Sequence, residues 1–76
     1  MPTAFVLINT RTGSIADVLK DLKKVEGVDE AFAVYGAYDI IARVRAESMD
    51  ELREIVTWRI RRIGKVRTTL TMTVVE

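Results

Sequence analysis

One short pattern, written twice, limits what this chain can fold into. An apolar run from Ala4 to Ile8 is followed by Ser14. Ile15, Val18, Leu19, Leu22 and Val25 then recur at helical spacing, ahead of Gly27 and a second strand-like run from Val28 to Tyr35. The same order returns with Ile40 to Val44, Ser48, and the helical stripe Met49, Leu52, Ile55, Val56, Ile60 and Ile63. Gly64 and a last run from Val66 to Val75 complete it. Strand, helix, strand, strand, helix, strand is the split βαβ plan. It predicts an α+β, ferredoxin-like βαββαβ fold, a four-stranded antiparallel sheet with two helices on one face.

Local signals agree with that order. Ser14 with Asp17 nearly matches a capping box, in which hydroxyl and carboxylate satisfy free helix amides, and Ser48 with Glu51 matches it fully. Gly27 and Gly64 are placed to stop the two helices. Between the central strands, Gly36 and Ala37 fit the two middle residues of a II′ hairpin, which needs positive φ at the first of them. Asp39 is harder to place. Aspartate is a poor strand former, yet this one opens the apolar run Ile40-Ile41-Ala42.

Seventy-six residues make a single domain, residues 1–76, with no room for a second core. The absence of cysteine and histidine removes disulfides, thiolate and imidazole metal sites, and the commonest general base. No metal and no cofactor are expected. The apolar runs are too short to span a bilayer and the N-terminus lacks a charged signal-peptide head, so no membrane association and a cytoplasmic location are expected. A net charge of +1 gives no broad electrostatic pull toward nucleic acid. Charged residues at 30%, one asparagine and no glutamine resemble the bias of heat-adapted, thermophilic proteins.

Two helices cover only one face of such a sheet. Ile40, Ala42 and Val44 are expected to face them, leaving Ile41, Arg43 and Arg45 on the other side. In the last strand Val66, Leu70, Met72 and Val74 alternate with Arg67, Thr69, Thr71 and Thr73, so the uncovered face is expected to be mixed and partly hydroxylated. The first strand is nevertheless continuously apolar, which implies burial on both sides. A domain this small buries such a face most readily against another chain. A homodimer packed sheet to sheet into an α/β barrel is therefore expected, with Ile41 and Arg43 in the interface.

Trp58 falls nearly opposite the apolar stripe of the second helix. It either lies over Arg61 and Arg62 with cation–π benefit or anchors a further subunit contact. Arg59, Arg61, Arg62, Lys65 and Arg67 read as a solvated cluster complementing the helix end. No aromatic interleaving accompanies them, and the RNA-recognition use of this fold is disfavoured. Catalysis has little to stand on. Both serines serve as caps, no carboxylate pair is set for acid–base work, and no glycine-rich phosphate loop occurs. Only Asn9 and Arg11, after the first strand, keep an acylphosphatase-like alternative open.

Gly36-Ala37-Tyr38-Asp39 with Ile40-Ile41-Ala42, and later Gly64-Lys65-Val66-Arg67-Thr68-Thr69-Leu70-Thr71, resemble the RAM effector domain of the Lrp/AsnC transcription regulators. Its hallmarks are a G-x-x-D turn between the second and third strands and a last strand opening G-V-x-x-T-x-T. Lys65, between the glycine and the valine, is a departure. The resemblance runs from the first strand to the last. It implies a domain that dimerises through its sheet, assembles further, and binds a small effector, typically an amino acid, where dimers meet. Gly36, Tyr38, Asp39, Thr69 and Thr71 are then the expected ligand-binding residues, and Trp58 an interface residue. A carboxylate such as Asp39 suits an ammonium, and hydroxyls and free amides suit a carboxylate. The family's helix-turn-helix domain does not match any part of these residues, so no direct DNA binding is expected. The expected role is an amino-acid-sensing assembly module in transcription regulation of amino-acid metabolism, pairing with full-length regulators. The alternatives are a small dimeric α/β-barrel enzyme, which would want a histidine, and a ligand-free structural assembly domain.

Overall fold

In a computed structural model describing residues 1–75, the chain runs β1 (Thr3–Thr10), α1 (Ile15–Leu22), β2 (Val28–Ala33), β3 (Ile40–Arg45), α2 (Met49–Glu54) and β4 (Val66–Thr73). Between α2 and β4 the helix continues as a π-helical segment, Ile55–Ile60. The strands form one sheet in the order β2-β3-β1-β4, with every neighbouring pair antiparallel. This is the ferredoxin-like plan. β1 and β3 are central and pair along the whole length of β3, from Thr3 with Arg45 to Ile8 with Ile40.

The core lies between one face of the sheet and the helices. Ala4, Val6 and Ile8 from β1 and Ile40, Ala42 and Val44 from β3 are fully buried there. Val18 and Leu22 of α1, and Leu52, Ile55, Val56 and Ile60 of the second helix, close over them. The burial of side chains five apart, Ile55 and Ile60, fits the wider turn of the π segment, whose Arg61 amide donates to the Val56 carbonyl at 3.0 Å.

Three local expectations are corrected. Ser14 makes no capping bond, and Asp17 instead accepts from Lys65 at 2.6 Å, so only the second capping box forms. There Ser48 Oγ accepts from the Glu51 amide at 3.2 Å, while Glu51 Oε1 accepts from the Glu47 amide at 2.8 Å. Nor is the hairpin a two-residue turn. The Val34 amide donates to the Asp39 carbonyl at 2.9 Å, closing a four-residue loop, Tyr35 to Tyr38, with Gly36 at φ +150°. Gly64 has no positive φ, and the chain leaves the second helix through an ordinary turn. Gly27 is constrained twice over. Its φ is +102°, and a Cβ there would lie 2.6 Å from Ile55 Cδ1.

A fourth correction concerns the last strand. Thr69, Thr71 and Thr73 sit opposite Ile8, Val6 and Ala4, so they face the helices, and Leu70 and Met72 face the uncovered side. The cause is a bulge. Asn9 pairs with Thr68 and the next residue, Thr10, pairs with Val66, leaving Arg67 as an extra residue. One extra residue reverses which side every later side chain takes. Val66 packs against the core, and the strand beyond it is flipped.

Candidate functional site

Asp39 is tied to the end of β1. Its amide donates to the Ile8 carbonyl at 3.0 Å, which carries the β1–β3 ladder one residue further. Its Oδ2 accepts from the Thr10 amide at 2.9 Å and from Thr10 Oγ1 at 3.3 Å. The carboxylate thus takes the place that a strand carbonyl would hold, and satisfies a buried threonine. That explains why a poor strand former opens β3. Oδ1 accepts no hydrogen bond among the described residues.

Asp39 also lines an open cleft of about 560 Å³ between the loop after β1 and the start of β4. Asn9, Thr10, Arg11, Arg67 and Thr68 share its walls. Two contacts hold the walls together: the Arg11 amide donates to the Lys65 carbonyl at 2.9 Å, and Asn9 Nδ2 donates to Thr68 Oγ1 at 3.2 Å. The bulge delivers Arg67 here. Arg11 and Arg67 form no ion pair among the described residues, whereas Lys65 is paired with Asp17 and Arg59 lies 4.0 Å from Glu26.

The other expected ligand residues lie elsewhere in the chain. Thr69 and Thr71 line a groove of about 340 Å³ between β4 and the second helix, with Leu52, Val56 and Arg61. Gly36 sits in the exposed loop, where a Cβ would meet nothing within 4 Å, and Tyr38 is half-buried beside Asp39. Within one chain the structure does not bring Asp39 and the threonines into one cleft. Arg11 and Arg67 were outside the expected ligand set. Arg67 carries no local signal, since the spacing from Val66 to Thr71 matches the family's motif.

Of the expected interface residues, Ile41 lies half-buried on the uncovered face. Its surroundings there are apolar: Phe5 and Leu7 of β1, Phe32 at 53% exposure, Leu70 at 47% and Met72 at 49%. Arg43, on the same face, pairs with Glu30 at 3.0 Å and lies 3.7 Å from Asp29, which in turn holds Arg45 at 3.0 Å. Trp58 projects from the π segment, 61% exposed, with Arg62 Cζ 5.8 Å from its ring centroid. No helix among the described residues is long and apolar enough to cross a membrane.

These features define an α+β domain with an unpaired apolar sheet face and polar clefts at its margins. Residues 3–76 match the model of the Lrp/AsnC ligand binding domain. The chain belongs to the Lrp/AsnC family. It is 38% identical over 73 residues to an uncharacterised HTH-type transcriptional regulator of Pyrococcus furiosus, covering 92% of this chain and 49% of the relative. The chain thus spans about half the length of that relative. Among solved structures, FFRP-DM1 superposes with a TM-score of 0.94 at 35% identity, covering 99% of this chain and 100% of the other. A feast or famine regulatory protein of M. tuberculosis, solved in complex with L-methionine, has a TM-score of 0.83 at 27% identity. That match covers 100% of this chain and 51% of the other. The matched domain is a regulatory, ligand-binding one, so the enzyme alternative falls away.

Proposed function

We propose that the chain is an effector-binding assembly module of transcription regulation, which pairs sheet to sheet with a second copy and takes an amino acid where subunits meet. The observation that carries the assembly is the apolar centre of the uncovered face. Phe32, Leu70 and Met72, each about half exposed, surround the half-buried Phe5, Leu7 and Ile41. Apolar surface of this kind is favourable to bury, and the Arg43, Arg45, Asp29 and Glu30 cluster beside it supplies a polar rim.

The family match and the neighbour solved with L-methionine support an amino-acid effector. Because Asp39 and the Thr69/Thr71 groove are separate in one chain, a shared site takes the Gly36–Asp39 loop from one subunit and the threonines from another. Trp58 then anchors a contact between dimers. On the same reading, longer regulators that carry this domain are partners for mixed assembly. An effector that binds only the assembled form stabilises it by mass action.

One observation favours the competing reading of a ligand-free assembly domain: Asp39 Oδ2 already has its partners within the chain. A thermal-shift screen with the twenty amino acids separates the two. A ligand at a hundred times its Kd stabilises the fold by about 2.7 kcal/mol, a readable shift. Silence from all twenty favours the ligand-free domain. Trp58→Ala with unchanged assembly removes the anchor.

A further inference from the structure

We infer that the cleft beside Asp39 selects an acidic amino acid, with Arg11 and Arg67 as the residues that set the selectivity. The inference rests on the amino-acid reading above and names the class of effector within it. Among the described residues, the charged side chains lining the cleft are two guanidiniums and one carboxylate. An acidic amino acid carries the mirror set, two carboxylates and one ammonium. A neutral amino acid leaves one arginine unanswered, and a basic one sets a second cation against the pair.

The positions of the three groups are built into the backbone. Arg67 is the bulge residue of β4, and bulges commonly re-aim a side chain beside a site. Arg11 is held through its amide to the Lys65 carbonyl. Asp39 is fixed through Oδ2, which leaves Oδ1 for an ammonium. Neither arginine has an acidic partner among the described residues, so a ligand carboxylate does not have to displace one. The volume of about 560 Å³ lies within the range of small-molecule sites.

Calorimetry on the intact chain tests this with compounds that delete one group at a time. L-aspartate or L-glutamate is expected to bind at least about tenfold more tightly than L-asparagine or L-glutamine, which lack the second carboxylate. The same margin is expected over succinate and glutarate, which lack the ammonium. Arg11→Met and Arg67→Met each weaken the acidic ligand by about tenfold or more, and added salt weakens it in the wild type. Asp39→Asn removes the preference over the dicarboxylates, and since that change also loosens Thr10, the dicarboxylate series on the wild type stands as the independent check.

Glutarate or inorganic phosphate binding as tightly as glutamate overturns the inference, because the cleft is then a general anion patch. A neutral amino acid that binds best and ignores both arginine substitutions also overturns it, while leaving the amino-acid reading intact. If no amino acid binds, both fall together.

Discussion

On the helix side of the sheet, Ala4, Val6, Ile8, Ala42 and Val44 keep no exposed surface, whereas on the other side Phe32, Leu70 and Met72 keep about half of theirs. One sheet supplies both sets, the first from β1 and β3 and the second from β2 and β4. The helix side is finished within the chain by residues of α1 and the second helix. On the other side the apolar residues are present, but nothing among the described residues closes over them. The difference teaches that the sheet carries two cores, one complete and one that needs a second surface.

Ways to break that comparison begin with the finished side. Ile8→Ala should cost about 2–5 kcal/mol in denaturant unfolding, because the site is fully enclosed and collapses only in part. A cost as small as that of Leu70→Ala would mean that the two faces are not different in kind. Next comes the seam between the faces, where Asp39 fastens β1. Asp39→Ala strands the Thr10 amide, while the Thr10 hydroxyl keeps the Arg11 carbonyl as acceptor, and should cost about 1–3 kcal/mol in the same measurement. An unchanged midpoint would show that water replaces the carboxylate without loss.

The helix layer itself is fastened unevenly. Ser48→Ala should lower stability by about 1 kcal/mol, while Ser14→Ala should do less, since Ser14 makes no capping bond. Equal effects would restore the symmetry that the two sequence repeats suggest.

The smallest expected effect concerns pH. The Lys65 ammonium, hydrogen-bonded to Asp17, holds that carboxyl below its ordinary value of 3.8. A lowered folded-state value means that the stabilisation is present above the ordinary value and is lost as pH falls through the lower one. Thermal midpoints of wild type and Asp17→Asn should therefore differ slightly at neutral pH and converge on acidification. The pair is exposed, so the gap is small. A gap that persists through acidification would point to a role for Asp17 other than charge.

The element order was legible because apolar spacing switches four times between strand and helix period, in the order of the split βαβ plan. Ser48 with Glu51 was legible for the same local reason. What escaped depends on contacts between distant residues. Asp17 turns to Lys65 rather than to its own helix amides, and Asp39 reaches back 29 positions to Thr10. The facing of Thr69 and Thr71 turned on one bulge residue, Arg67, which shifts parity without altering the alternation visible in the chain. Half-exposed positions at a sheet edge accept threonine or leucine on either side, so composition did not decide the matter. The π turn is a change of backbone hydrogen bonding, from i→i+4 to i→i+5, and has no residue signature. The cleft was hidden for both reasons at once. One of its arginines is the bulge residue, and the other is set by a loop contact to Lys65, in the turn before β4.

The most direct test of the second core is sedimentation of the wild-type chain and of Leu70→Asp at micromolar concentration. Pairing through the uncovered face predicts a wild-type particle of at least twice the 8.6 kDa chain mass. It also predicts at least about tenfold weaker association for Leu70→Asp with the fold intact, since a charge would be buried unpaired. A wild-type monomer, or a variant that assembles as well as the wild type, would contradict it.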